Sequence, residues 1–278
     1  MSRTWLITGT SSGFGRQLTE ILLQRGDRVA ATVRKQDALD DLKKAHGDRL
    51  WVEVLDVVHA DDVRRVVEKA FSDLKRIDVV VSNAGYALLG AAEEVDDTQI
   101  ERQVDTNLLG SIHIARAVIP HLRKQGGGRI VQISSMVGQG SYPTMGVYAA
   151  TKWGIEGFYE GTIPEIASFG IEVTLVEPGA SRTNFGTSSA AFGKTMDVYE
   201  KTAVGDFRRM VASAGLSMFR GDPRKVAQAI IDSTSQSPAP RRLTLGSDAY
   251  AVVHEALTSR LSALEAQKVL AHSTEFDE

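Results

Sequence analysis

Short apolar runs rich in Val and Ile recur along the chain, and apolar residues repeat at helical spacing in the stretches between them. Trp5–Thr8, Arg28–Val33, Leu50–Val54, Val79–Ser82, Arg129–Ile133 and Glu172–Val176 read as strands, with a seventh at Arg242–Leu245. Between them, Leu18, Ile21 and Leu22 fall on one helical face, with Gly26 placed as a C-cap. Val63, Val66, Val67 and Ala70 do the same, as do Leu108, Ile112, Ala115, Ile119 and Leu122, whose helix ends near Gly126–Gly128. Strands that alternate with helices cannot be joined by hairpins, so they must run parallel with helical crossovers. Strands apolar on both sides belong to a sheet covered on both faces. The expectation is an α/β fold, a doubly wound parallel sheet of about seven strands with helices on both faces.

Two stretches break this rhythm. Residues 183–221 are rich in Ser, Thr, Gly and Ala and read as a partly helical excursion, a candidate substrate lid. Residues 247–278 read as a helix through Val252, Val253, Leu257, Leu261 and Leu264 with a frayed polar end. The 278 residues are 42% hydrophobic and show no linker, so a single domain over 1–278 is expected. A net charge of -3 gives no nucleic-acid surface. With no cysteine there is no disulfide and no thiolate chemistry, and the histidines show no paired metal motif. No apolar run approaches the roughly 18 residues of a membrane span, and the first residues lack the pattern of a secretory leader. A cytoplasmic location is expected.

The first strand leads into Gly9, Thr10, Ser11, Ser12, Gly13, Phe14 and Gly15, and a helix comes next. Glycines there permit a tight turn and close approach to a pyrophosphate, and a helix N-terminus offers free N–H groups and positive dipole character. A glycine loop alone is a weak signal; its place between the first strand and first helix strengthens it. An acid closing the second strand would bind a ribose 2'-hydroxyl and favour NAD(H). This strand closes on Arg34 instead, and a guanidinium can grip a 2'-phosphate, so NADP(H) is expected in preference to NAD(H). Asp56 and Val57 come after the third strand and suit the adenine; Asn83, Ala84 and Gly85 come after the fourth, where small residues let a cofactor lie against the strand end.

Tyr148 and Lys152 are four residues apart, hence on one helical face. A tyrosine hydroxyl is too weak an acid for proton exchange at neutral pH unless nearby positive charge stabilises the phenolate. Ser135, at the end of the fifth strand, is placed to polarise a substrate oxygen. Asn107 is placed to hold a water that relays protons towards Lys152. A lone pair with this spacing, or a lone serine at a strand end, carries little weight; all four in order behind the glycine loop do not arise by coincidence.

Taken together, Thr8–Gly15, Asp56–Val57, Ser82–Gly85, Asn107, Ile133–Ser135, Tyr148–Lys152 and Pro178–Thr183 closely resemble the single-domain branch of the short-chain dehydrogenase/reductase family. The resemblance implies a Rossmann-type seven-stranded sheet and, commonly, a homodimer or homotetramer. It implies catalysis by Asn107, Ser135, Tyr148 and Lys152, the last two also touching the cofactor. It implies that Pro178, Gly179 and Thr183 line the nicotinamide, and the Arg34 position matches NADP(H)-preferring members. Departures are Ser82, where the family usually has asparagine, a tail longer than in compact members, and Pro164. The proline removes a backbone donor from the helix that starts near Tyr148 and is expected to kink it or end it early. That puts the family's usual subunit interface in doubt.

Met136, Val137, Tyr142, Met145, Tyr86, Phe185 and the stretch Phe192–Met196 surround the expected pocket mouth. They are mostly apolar, with no cationic clamp, and suit an apolar ketone or aldehyde and its alcohol. Alternatives are a cofactor-sensing regulator of the same fold, disfavoured by the presence of both Tyr148 and Lys152, and an acyl-carrier-protein ketoreductase, for which no basic docking patch is evident. An epimerase of the longer sugar-nucleotide branch would need differently spaced glycines and a larger C-terminal region.

Overall fold

The computed structural model describes residues 2–183 and 189–276. The chain begins β1 (Thr4–Ile7), α1 (Gly13–Gln24), β2 (Arg28–Val33), α2 (Asp40–His46), β3 (Leu50–Val54), α3 (Ala60–Leu74) and β4 (Val79–Ser82). It continues through β5 (Leu88–Leu89), α4 (Asp97–Val104), α5 (Gly110–Lys124), β6 (Gly128–Ile133), α6 (Gly146–Ile166) and β7 (Ile171–Pro178). It ends with β8 (Ala191–Phe192), α7 (Ala203–Ala214), α8 (Pro223–Ser233), β9 (Arg242–Leu245), α9 (Ser247–Glu265) and α10 (Lys268–His272).

Seven strands form one sheet in the order β3-β2-β1-β4-β6-β7-β9. Every neighbouring pair is parallel. Alternate residues of a strand point to opposite faces, and the two cores obey that rule. Leu6, Ala30, Val80, Ile130, Val173 and Leu175 meet α3, α5 and α6 on one face. Trp5, Ile7, Val29, Ala31, Val131 and Val176 meet α1, α2 and α8 on the other. Trp5 is fully buried; truncating such a ring to alanine costs about 3–5 kcal/mol.

The chain builds outward from β1 to β3, returns across β1 and continues with β4 on the other side. The crevice beyond the carboxyl ends of β1 and β4 is therefore the switch point of the sheet, where such folds bind ligands.

Two details depart from the sequence reading. Helix α6 runs its full 21 residues through Pro164 and stops at Ile166, two residues beyond it. The proline falls in the last turn, so its missing N–H removes one bond near the end of the helix rather than breaking its middle. The expected helix forms as α9, Ser247–Glu265, but within it only Ala249 and Val253 are buried. Leu257, Leu261 and Leu264 are 51%, 56% and 66% exposed. The polar end is not simply frayed: it contains α10. No described helix is long and apolar enough to cross a membrane.

Candidate active site

The glycine loop lies where β1 meets α1. Gly9 has a φ of +70°, and a Cβ there would come within 2.9 Å of the Ala84 Cα. Any side chain would therefore be strained and would also push the β4 loop away. A Cβ at Gly15 would strike the Gly9 carbonyl and come within 2.6 Å of the Asn83 amide. Helix α1 thus starts tight against the strand end, and its N-cap Ser12 makes no side-chain cap. Its first N–H groups are left to point at an anion, so the residues present fit a dinucleotide pyrophosphate.

The loop is stitched to its neighbours by groups whose motif positions suggest direct cofactor contact. The buried Thr10 hydroxyl donates to the Thr32 carbonyl, 3.0 Å. The Asn83 amide donates to the Thr8 and Gly9 carbonyls at 2.8 and 3.0 Å. The Thr8 hydroxyl accepts from the backbone N–H of both Asn83 and Ala84. Thr10 and Asn83 therefore shape the loop with their side chains. So does Thr8, which its place at the strand end does not mark as a site residue. Ser11 is exposed, while Ser12, Gly13 and Phe14 are half-buried, Phe14 against the core.

Around the loop stand the other expected cofactor residues. Arg34 is exposed at the end of β2 and makes no ion pair with a described residue. The Asp56 carboxylate accepts from the Val58 N–H, and buried Val57 packs so closely on Gly110 that a Cβ there would meet it at 2.6 Å. Gly85 lies 3.1 Å, measured from an idealised Cβ, from the Asn107 side-chain oxygen. Beyond β7, the Gly179 N–H donates to Leu245 and the Ala180 N–H to the Asp248 carboxylate, 2.7 Å. Asp248, in the first turn of α9, thus holds the loop that begins at Pro178; its sequence signal is only that of an acid at a helix start. Thr183 closes in from above, its Cβ 3.9 Å from an idealised Cβ on Gly13. Phe185 lies outside the described residues.

The three central side chains converge from different elements. Tyr148 lies in the first turns of α6 and is buried, as are Lys152 one turn on and Ser135 just past β6. The Ser135 hydroxyl lies beside the Tyr148 hydroxyl, near enough to favour its phenolate, and accepts the Val137 N–H, 3.3 Å. The Lys152 ammonium sits 5.7 Å from the centre of the Tyr148 ring and donates to the Ile133 carbonyl, 2.9 Å. Burial pushes Lys152 down to about 8, against the opposing charge of Glu156. Burial likewise raises the Tyr148 hydroxyl far above the ordinary phenol value, with the neighbouring Ser135 hydroxyl working in the other direction. A phenol so buried releases its proton only when positive charge is held beside it, and Lys152 is the cation at hand.

Asn107 comes next to this group in an unexpected way. It sits in a single π-turn, Asp105–Leu109, between α4 and α5. Its side chain is engaged, accepting from the Tyr86 N–H at 3.1 Å and donating to the Tyr86 carbonyl at 2.9 Å. Buried Gln103 donates to that same carbonyl, 3.0 Å. The Asn107 backbone carbonyl accepts from the Ser111 hydroxyl, 2.9 Å. The side chain therefore fixes the loop after β4, and any water held by this residue would have to meet its backbone carbonyl.

The profile of the short chain dehydrogenase family matches residues 3–192. This chain belongs to that family. An oxidoreductase of Botryotinia fuckeliana is 36% identical to this short-chain dehydrogenase, covering 90% of each chain. The 3-ketodihydrosphingosine reductase of Bacteroides thetaiotaomicron is 32% identical over 87% of each. Among solved structures, a short-chain dehydrogenase from Streptomyces avermitilis superposes with a TM-score of 0.91 at 37% identity, covering 99% of this chain and 98% of that one. The structure of ElxO with NADP bound gives a TM-score of 0.71 at 25% identity, over 87% of this short-chain dehydrogenase and 96% of that chain.

Of the residues expected at the pocket mouth, four gather beside Tyr148. Met136 and Val137 cluster with Tyr148 and Ala149, with Tyr142, Met145 and Val252 packed against them. Phe192 and Met196 are 58% and 38% exposed. Phe207 on α7 also reaches the group, stacking on Tyr142 with ring centres 5.5 Å apart. Glu94 is one of the points that attach residues 189–221 to the body. That buried carboxylate accepts the Met196 N–H at 2.9 Å and the Ala91 N–H at 2.7 Å, and pairs with Arg208 of α7. Burial would raise Glu94, but Arg208 and these two N–H groups outweigh it and hold the carboxyl below its ordinary range.

Proposed function

We propose that this short-chain dehydrogenase is an NADP(H)-dependent enzyme interconverting an apolar ketone or aldehyde with its alcohol. The observation that carries the proposal is the gathering of buried Ser135, Tyr148 and Lys152, the last two one turn apart on α6, with the glycine loop at the same sheet edge. When bound, a nicotinamide dinucleotide supplies or accepts the hydride. Gly9, Gly13 and Gly15 would let the backbone and the α1 N-terminus hold its pyrophosphate, and Arg34 would pair with a 2'-phosphate.

In the reducing direction, the Ser135 hydroxyl donates a hydrogen bond to the substrate oxygen and stabilises the charge that develops there. The Tyr148 hydroxyl delivers the proton to that oxygen. The Lys152 ammonium stabilises the phenolate left behind. Asn107, through its backbone carbonyl, is the residue to which a proton-relaying water would bind.

The apolar cluster of Met136, Val137, Tyr142 and Met145 around Tyr148 supports a substrate without charge near its carbonyl. A relative named for reduction of a 3-keto sphingoid base supports a ketone carrying a long apolar chain. Residues 189–221 act in this reading as a lid, with Phe207 the aromatic side chain it contributes.

Fluorescence titration with NADPH and NADH, on the wild type and Arg34→Ala, tests the cofactor reading. Loss of about 1–3 kcal/mol of NADPH affinity in the variant, with NADH affinity little changed, is expected. Tighter binding of NADH by the wild type would overturn the NADP(H) preference. A panel of aliphatic ketones graded by chain length, assayed with NADPH, then tests the substrate class.

A further inference from the structure

One helical turn beyond Lys152, two carboxylates are buried close together. Glu156 of α6 is 3% exposed and Glu177 of β7 is fully buried. Among the described residues the cation bonded to both is Arg242 of β9, whose Nε lies 3.1 Å from Glu156 and 3.3 Å from Glu177. Thr244 donates to Glu177 at 2.7 Å. Two acids sharing one arginine in a core are costly to bury, so their partners need an account.

The partners of Glu156 lie on either side of the turn that carries Ser135. Its Oε1 accepts from the Ser134 hydroxyl, 2.7 Å, and its Oε2 accepts from the Gln139 side-chain amide. Ser134 precedes Ser135, and Gln139 closes the short turn Met136–Gly138 just beyond it. The same Gln139 amide reaches Glu177 at 3.2 Å, and its oxygen accepts from Arg260 of α9, 3.2 Å. Gly138 lies directly over this contact: a Cβ there would be 2.5 Å from the Glu156 Oε1 and 2.8 Å from the Ser134 hydroxyl. The loop and the helix are thus drawn to a separation that excludes even a methyl group.

We propose that Glu156 is a positioning residue, tying both ends of the Ser135 turn to the helix that bears Tyr148 and Lys152 and so fixing where the serine hydroxyl meets the tyrosine. Glu177 and Arg242 hold Glu156 in place from the sheet. The inference rests on the carbonyl–alcohol reading for its kinetic consequence but not for its structural one. The Glu156 carboxylate is taken up by Ser134, Gln139 and Arg242. It acts on turnover through Ser135, where a misplacement of about 1 Å can cost on the order of 100-fold in rate.

The test compares wild type, Glu156→Gln and Gln139→Ala by amide hydrogen exchange and steady-state kinetics. Gln139→Ala keeps the buried charges and opens the turn from the loop side, so it serves if Glu156→Gln fails to fold. Exchange across 135–140 is expected to quicken roughly 10-fold in the variants while the β6 and β7 amides stay protected. With a reducible ketone, kcat is expected to fall about 10- to 100-fold while KM and NADPH affinity stay within about twofold. Unchanged exchange in a folded variant overturns the proposal, as does a raised KM at unchanged kcat. A wild type that reduces no ketone would count against the carbonyl reading alone, and the exchange measurement would still decide the role of Glu156.

Discussion

The floor of the site and the cover over it are built by different means. The floor is held by many short bonds between adjacent strand ends: Thr8, Thr10 and Asn83 tie three βα connections together within a few residues of the glycine loop. Residues 189–221 are joined to the body at points scattered along their length. These include the Glu94–Arg208 pair, the Phe207–Tyr142 stack, the two-residue pairing of β8 with β5, the Gly221 N–H on the Ala180 carbonyl, and rim bonds such as Tyr199 to Glu93. A floor whose side chains are locked onto neighbouring strand ends leaves little freedom to change its shape. A cover joined at scattered points can be altered one contact at a time. Under the proposed function, cofactor geometry would fall to the floor and substrate choice to the cover.

The largest expected effect falls on the floor. Tyr148→Phe removes the proposed proton donor and should reduce turnover by on the order of 10³-fold while NADPH affinity holds within about twofold. Rate assays beside a binding titration would show it, and a variant that kept even a tenth of wild-type turnover would remove Tyr148 from the chemistry. On the cover, Glu94→Ala leaves the Arg208 guanidinium without its carboxylate and frees two N–H groups. It should destabilise the attachment by about 3 kcal/mol, raising KM for ketone far more than Kd for NADPH. Equal changes in both would erase the division between floor and cover.

Lys152→Met sharpens the comparison through pH. Since burial lowers Lys152 to about 8 from its ordinary 10.5, the folded state bears the full cost of the buried charge below pH 8. The unfolded chain binds more protons than the folded one between about 8 and 10.5, so wild-type stability rises with pH through that window. The methionine variant should lose turnover yet be more stable at pH 7, by up to about 3 kcal/mol. That gain should shrink as pH rises towards 10.5. Thermal unfolding at pH 7 and pH 10 checks the sign, and a gain that grows with pH would refute it. The smallest effect is expected far from both regions: Leu264→Ser on exposed α9 should change stability by less than about 0.5 kcal/mol, as denaturant titration would record.

Every strand of the main sheet is legible in the sequence because apolar runs covered on both faces leave an unambiguous trace; Trp5 and Leu6 are adjacent, both buried, and serve opposite cores. The pairing of β5 with β8 leaves none, since two residues carry no periodicity and distant segments must first be brought together. The motif residues also land at one sheet edge, yet the direction of their side chains is not readable from spacing. Asn83 and Asn107 turn inward to backbone carbonyls, a choice set by partners from other elements. Glu156 and Glu177 look like ordinary acids; only Ser134, Gln139 and Arg242, remote in sequence, reveal that they are buried. Leu257, Leu261 and Leu264 show the converse: spacing defines a helical face without saying what, if anything, lies against it.

The π-turn at Asp105–Leu109 has a consequence for how this protein can vary. Such a turn is an α-helix with one surplus residue, its closing N–H reaching from Gly110 back to Asp105. Removing any one residue within it would restore a regular helix and rotate α4 by about 100° relative to α5. Gln103 would then swing off the Tyr86 carbonyl while the residues of α5 kept their places. Substitutions in this stretch can be absorbed one side chain at a time, but a change of length cannot, and the reading frame of the helix is thereby bound to the shape of the site.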